Sequence, residues 1–154
     1  VSAKDGPNMA TRSDERQLHV VIVTGDRAVY DGVAERVIAP AAAGQISVLL
    51  NHAPMLALLE PGELIVRRDN MEESLAIGGG LIEVLDNEVI VLADTAERAE
   101  EIDVARAESA RLRAKALMKA YRDRPEYATA YQALRRSRAR LRVAQRAKGR
   151  SRLA

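Results

Sequence analysis

The stretch LIVRRDNMEESLAIGGGLIEVLDNEVIVLA, residues 64–93, decides the fold. Four short runs rich in Val, Ile and Leu lie within it: Leu64 to Arg68, Glu73 to Gly78, Leu81 to Leu85 and Glu88 to Ala93. Asp69-Asn70 and Asp86-Asn87 separate them, residues that tolerate the left-handed backbone a tight hairpin needs. β-Branched side chains suit a pleated, half-buried surface, so the runs predict strands. Gly78-Gly79-Gly80 is followed by neither a Lys-Ser/Thr pair nor a helix, and reads as a tight bend or bulge in a sheet rather than a phosphate loop. Upstream the rhythm continues. Leu18, Val20 and Ile22 alternate with Gln17, His19 and Val21, Thr24-Gly25-Asp26 turns, and Ala28 to Tyr30, Val33 to Ala39 and Gln45 to Leu50 predict further strands. An antiparallel sandwich or barrel follows from this spacing.

Downstream of Asp94, Gly and Pro nearly vanish and Ala, Arg, Glu and Leu take over, which is helix composition. One helix is predicted from about Asp103 to Tyr121, with a break at Arg122 to Arg124. Pro125 then suits the first turn of a second helix reaching about Lys148. Ile102, Ala105, Ser109, Leu112 and Ala116 form an apolar stripe on the first, and Tyr127, Ala130, Leu134, Ser137, Leu141 and Ala144 on the second. Two such stripes joined by a short break predict an antiparallel helical hairpin. At about 0.8 kcal/mol per buried methylene the Ala-rich seam is weak, and clustered arginines repel, so a marginal, mobile element is expected. The fold class is α+β: residues 1–15 an extension, 16–95 a β-sandwich, 96–148 the hairpin, and 149–154 a basic tail.

The chain has 154 residues, too few for an α/β barrel enzyme, and no cysteine, which excludes disulfides, thiolate metal sites and a Cys nucleophile. Two histidines, His19 and His52, are poor material for a metal cluster, and no serine, histidine and aspartate arrangement suggests a triad. No catalytic constellation and no metal site is predicted. The absence of a long apolar run argues against a membrane span, and the lack of an apolar signal core near the amino terminus points to the cytosolic space. The net charge of +2 conceals a division: residues 1–104 carry 8 basic and 19 acidic side chains, residues 105–154 carry 16 and 3. The basic half is expected to seek something acidic: nucleic acid, anionic lipid, nucleotide or an acidic protein surface.

Asp103, Arg106 and Arg113 share one face of the first helix, and Arg136 and Arg140 one face of the second. Were those faces adjacent, four guanidiniums and one carboxylate would converge, a geometry suited to phosphate. The alternative is that Asp103 caps its helix and the arginines are a solvated face. Glu72-Glu73 and Glu100-Glu101 read as solvated charge.

Three stretches resemble the epsilon subunit of bacterial F-type ATP synthases, called delta in mitochondria. Gly44 to Leu56 with His52-Ala53-Pro54, followed by Glu60-Pro61-Gly62, is similar to one family signature; Gly78 to Val84 leading to Val91-Leu92-Ala93-Asp94 is similar to a glycine-rich strand pair. Ile102-Asp103-Val104-Ala105-Arg106-Ala107 fits the nucleotide motif [I/L]-D-x-x-R-A. Departures occur at Gln45, Ser47 and Leu50, where the family commonly has an acidic residue, glycine and proline. The resemblance implies a flattened sandwich of about ten strands and two helices. It implies a non-catalytic central-stalk subunit that joins gamma to the c-ring and restrains ATP hydrolysis. The hairpin lies folded or extends toward the alpha and beta subunits of the catalytic head. The subunit would lie peripherally on the cytoplasmic side of the bacterial plasma membrane, without a transmembrane segment, in a proton- or sodium-translocating complex. The family pattern assigns ATP, a regulatory ligand rather than a required cofactor, to Glu97, Ile102, Asp103, Arg106, Ala107, Arg113, Arg136 and Arg140, and c-ring contact to Gln45 and His52. The competing reading is a basic helical nucleic-acid-binding module fused to a small β domain, which near-absence of stacking aromatics disfavours.

Overall fold

A computed structural model describes residues 17–151, so the expected extension at 1–15 and residues 152–154 of the expected basic tail lie outside it. Eight strands form one sheet: β1 (Leu18–Val23), β2 (Ala28–Ala34), β3 (Arg36–Ala41), β4 (Gly44–Leu49), β5 (Met55–Arg68), β6 (Met71–Leu85), β7 (Glu88–Ala93) and β8 (Ala96–Arg98). Their order is β2-β1-β7-β6-β5-β3-β4, with β8 pairing β6 off this path. The sheet makes two layers because β5 and β6 belong to both. β7 pairs the half of β6 from Gly80 to Leu85, whereas β8 pairs it at Leu75 to Ile77.

Among the described residues the fold therefore has eight strands rather than about ten. The runs expected as separate strands on either side of Gly78-Gly79-Gly80 are one strand, bent at its middle. Gly79 and Gly80 take φ of 107° and 140°, and the ladder steps from Leu59↔Gly80 to Pro61↔Gly78 across the bend. Positive φ costs glycine nothing, so the strand turns between layers without ending. One pairing is parallel, β1 with β7, where an all-antiparallel sandwich was expected. No hairpin turn connects those two strands, so local turn chemistry does not set their direction. The layers enclose Leu18, Val20, Ile22, Val37, Val48, Leu64, Leu75, Ile77, Ile82, Val84, Val89 and Val91. Burial alternates along β1, β3 and β7; in β7 Val89, Val91 and Ala93 lie inside and Glu88, Ile90 and Leu92 outside.

A 3₁₀ turn at Ala99–Glu101 leads into α1 (Val104–Ala120), and α2 (Glu126–Ser151) returns beside it, running past the expected end at Lys148. The seam of α1 differs from the expected stripe. Ala107 and Ala114 are buried with Ala110 half-buried between them, whereas Ala105, Ser109 and Ala116 are exposed and Leu112 is 55% exposed. Alanines at this spacing let the second helix approach closely; the longer Leu112 does not fit such a seam. On α2, Ala130, Leu134, Ser137 and Ala144 are buried as expected, Leu141 is half-buried and Tyr127 is exposed. The Ser137 hydroxyl donates to the Leu134 carbonyl at 2.9 Å, so its burial leaves no unmet donor.

α2 also buries Ala139 and Val143 against Ala76, with Ala99 and Ile102 packed alongside. This apolar seat is small, and charge does the rest. Arg135 Nη1 pairs with Glu60 Oε2 at 2.8 Å, Arg140 Nε with Glu97 Oε2 at 2.9 Å, Arg146 Nε with Glu63 Oε1 at 2.6 Å and Arg150 Nη2 with Glu72 Oε1 at 2.6 Å. The acidic half of the chain is thus a partner for the basic half. Arginines expected to repel one another are matched by sandwich carboxylates, and Glu72, expected to be solvated, has only 16% of its side chain exposed.

Burial pushes the Glu72 carboxyl up, but the Arg67 hydrogen bond and the charges of Arg67, Arg150 and Arg146 outweigh it, leaving the carboxyl below its ordinary range. A carboxylate held low contributes stability that is present above its unfolded value, about 4.3, and is lost as pH falls through the folded value. Arg67 belongs to β5, so only the Arg150 and Arg146 part of this bears on the hairpin; protection of α2 amides from exchange is expected to be flat from pH 8 to about 5 and to weaken below about 4. Protection relative to the unfolded chain unchanged down to about pH 3 would remove this contribution.

Candidate functional site

Where α1 begins, its first turn faces α2 and β8 across a cleft of about 370 Å³. Its lining is Glu97, Glu101, Asp103, Arg106, Ala107, Ala110, Arg113 and Arg140. Helical spacing accounts for the convergence. Arg106, Ala110 and Arg113 lie at i, i+4 and i+7, and Asp103 precedes them by three. Asp103 is the cap of α1, its Oδ1 accepting from the Arg106 N–H at 3.0 Å. Capping and cleft lining are thus both true of Asp103, and the two expectations do not exclude each other. Asp103→Ala should cost about 1 kcal/mol of helix stability, read as earlier melting of the helical signal at 222 nm in circular dichroism.

Among the described residues, Arg106 and Arg113 have no carboxylate within 4.0 Å, whereas Arg140 is held by Glu97 through two parallel bonds of 2.9 Å. Glu101 is engaged at the rim, accepting from the Arg98 N–H at 2.8 Å and pairing with Arg27 at 2.6 Å. Those contacts hold its carboxyl below the ordinary range, the Arg98 hydrogen bond contributing most. Two unpaired guanidiniums of α1 beside a small-residue wall can bind an anion of phosphate type, with Arg140 of α2 across the cleft already paired to Glu97.

Most of the expected nucleotide residues are thus brought together, with two exceptions. Ile102 is turned into the apolar seat beneath α2 and does not line the cleft. Arg136 does not line it either; its stem crosses Gly78, where a Cβ would come within 3.7 Å of Arg136 Cδ. Glu101 and Ala110 line the cleft without having been expected. The i+4 relation of Ala110 to Arg106 was the available signal for it, whereas Glu101 is aimed by its contact with Arg27, distant in sequence. Gln45 and His52 are not brought together. Gln45 is exposed near the start of β4 and His52 lies beyond its other end, half-buried, with Nδ1 2.7 Å from the Ala53 carbonyl oxygen.

A second surface has no precedent in the periodicities. On the outside of one layer, Leu58 pairs Leu81, Leu81 pairs Leu92, and Leu92 pairs Val23, placing four apolar side chains in register across β5, β6, β7 and β1. Leu58 is 65% exposed and Leu92 52%, and Leu56 beside them is 69% exposed. Water-facing leucines in a contiguous row are unfavourable in water.

Two family models match this chain in tandem: ATP synthase delta/epsilon chain, beta-sandwich domain, over residues 17–99, and the long alpha-helix domain of the same chain over residues 100–145. The chain belongs to the ATP synthase delta/epsilon family. Its relatives include the ATP synthase epsilon chain of Herpetosiphon aurantiacus, 44% identical over 127 residues that cover 82% of this chain and 93% of that one. The epsilon chain of Acidithiobacillus ferridurans is 41% identical over 129 residues, covering 84% and 92%. Among solved structures, a chain of the Euglena gracilis mitochondrial ATP synthase shares the fold at a TM-score of 0.73 and 21% identity, covering 94% of this chain and 99% of that chain. No described helix is long and apolar enough to cross a membrane, and no group of three or more His, Cys, Asp or Glu among the described residues is placed to hold a metal.

Proposed function

We propose that this epsilon-family chain is a non-catalytic subunit of the ATP synthase rotor, set between gamma and the c-ring, whose hairpin restrains ATP hydrolysis. The observation that carries the regulatory part is the seat of α2: a few apolar side chains and a ladder of partly solvated ion pairs. Such a seat is separable without exposing a large core, because most of its ion pairs are partly exposed and exchange readily with water, the Arg146–Glu63 pair with its buried carboxylate being the exception. On leaving, the arginines of α2 would find acidic surfaces on the alpha and beta subunits of the catalytic head. The row of Leu58, Leu81 and Leu92 supports a permanent junction with gamma, since apolar area of that kind is unfavourable in water. Gln45 and His52, at opposite ends of β4, would meet the c-ring as separate points of contact. As part of that complex the subunit would lie on the cytoplasmic side of the bacterial plasma membrane as a peripheral component, whichever of proton or sodium is coupled.

In this reading ATP is a regulatory ligand of the α1–α2 cleft. Phosphates would join Arg106 and Arg113 of α1 to Arg140 of α2, with Asp103 Oδ2 free to accept from the base or sugar. A ligand specific for the closed hairpin stabilises it by about 2.7 kcal/mol at a hundredfold excess over Kd, enough to govern a seat of this strength. A nucleic-acid backbone would instead have to displace the sandwich carboxylates from α2, at a cost the acidic half of the chain increases.

Two measurements test the proposal. Isothermal titration of the full chain with ATP should give saturable heat that Arg106→Ala and Arg113→Ala each remove. Deleting the hairpin, residues 104–154, from the reconstituted complex should raise ATP hydrolysis, with β8 left in the sheet. Titrations silent at millimolar ATP would refute the ligand, and unchanged hydrolysis would refute the brake.

A further inference from the structure

Within the cleft the fork between Glu97 and Arg140 stands apart from the other contacts of the site. Arg140 presents Nε and Nη2 to both oxygens of one carboxylate, each at 2.9 Å, the bidentate arrangement that guanidinium also adopts with phosphate. Arg106 and Arg113, on the same cleft, have no such partner among the described residues. One of three guanidiniums is therefore already occupied by an internal anion, carried on β8 rather than on either helix.

We infer that Glu97 is a built-in competitor for phosphate at Arg140, and that it sets the anion affinity of the cleft rather than contributing to it. This rests on the proposed binding of ATP here and reverses the sign of one residue within it. A triphosphate reaching Arg140 must take its two donors from Glu97, and the released carboxylate then stands beside the incoming negative charge. Both effects lower affinity. The exchange also moves the tie on α2. In the unliganded cleft Arg140 links α2 to the sandwich; with phosphate it links α2 to α1. The remaining ion pairs, from Arg135 to Glu60, Arg146 to Glu63 and Arg150 to Glu72, keep α2 seated through the exchange. Glu97 is thus a specificity-determining residue: a monoanion too weak to displace a bidentate carboxylate is excluded, whereas a polyphosphate anchored first on Arg106 and Arg113 gains Arg140 as well.

The test is isothermal titration of the full chain, wild type, Glu97→Gln and Arg140→Ala, with inorganic tripolyphosphate and with ATP at one ionic strength. Glu97→Gln removes the competing charge at nearly constant volume and should tighten both ligands about tenfold, the scale of one unit charge met at close range in a partly solvated site. Arg140→Ala should weaken both. Hydrogen exchange of α2 in Glu97→Gln serves as the control that the hairpin remains seated. If wild type binds ATP and Glu97→Gln binds it equally or more weakly with α2 still seated, the competitor role is overturned while the nucleotide site stands. A gain for ATP alone, absent for tripolyphosphate, likewise overturns it by moving Glu97 to the base. Binding by Glu97→Gln where wild type is silent upholds the competitor and refutes ATP as ligand of the natural chain; silence in both refutes the two together.

Discussion

Gly80→Ala is expected to leave little folded protein. Gly80 sits in β6 at φ 140°, where β6 bends from one layer to the other, and a Cβ there is driven into the backbone carbonyl of Leu92 on β7. Positive φ alone costs a non-glycine residue about 1–3 kcal/mol, and a clash with backbone cannot be relieved by turning a side chain. The sum exceeds about 4 kcal/mol, a large part of the stability of an ordinary domain. Gly25 supplies the control. It lies in the turn after β1 with nothing within 4 Å of a built Cβ, so Gly25→Ala should shift stability by less than about 0.5 kcal/mol. Thermal unfolding followed by circular dichroism decides the matter: a Gly80→Ala protein melting within a few degrees of Gly25→Ala would mean that the bend does not require glycine.

Arg146→Ala is expected to unseat the hairpin while leaving the sandwich intact. Glu63 is buried on β5 with 5% of its side chain exposed, and Arg146 of α2 meets it through Nε at 2.6 Å and Nη2 at 3.1 Å. Arg146 also reaches Glu72 at 3.2 Å. Removing one partner of a buried pair leaves the other charge uncompensated, which costs about 3–5 kcal/mol when both are fully buried. Arg146 is 38% exposed, so water screens part of the loss and about 2 kcal/mol is expected, roughly thirtyfold in the seating equilibrium. Hydrogen exchange on the full chain should show α2 amides opening about thirtyfold faster with β6 and β7 unchanged. Glu63→Gln with Arg146→Met should restore part of the seat, since an uncharged pair of similar volume removes the buried charge. Equal protection of α2 in wild type and Arg146→Ala would show that Ala139 and Val143 hold the helix unaided.

Most strand runs, the turns at Asp69-Asn70 and Asp86-Asn87, and the two helices were legible in the sequence because each is a local decision; the run expected from Val33 to Ala39 divides at Glu35 between β2 and β3, and the first nine residues of β5, Met55 to Glu63, were not expected as strand. Asn51, Asp69, Asn70, Asp86 and Asn87 all adopt positive φ, as short polar side chains in turns do. Asp103, Arg106 and Arg113 were placed on one face correctly for the same reason: three- and seven-residue steps along a helix are properties of the helix alone. The face that would be buried was a different matter. Ala107 and Ala114 won over Leu112 because close approach of α2 favours small residues, and the approach of a partner is not written in a single periodicity.

What the sequence determined by itself was the inventory: a β-rich acidic half, a helical basic half, glycines where the long strand bends, and a capped helix whose arginines share a face. What the tertiary structure decided was the pairing of these parts. Glu60, Glu63, Glu72 and Glu97 are scattered along the acidic part of the chain, and only the bent ladder of β5 and β6, with β8 alongside, places them under α2. The outward row of Leu58, Leu81 and Leu92 likewise arises from register across three strands. Local structure depends on neighbours a few residues apart, which composition and spacing reveal. Charge pairing and exposed apolar area depend on distances between residues remote in the chain, which exist only once the sheet has formed.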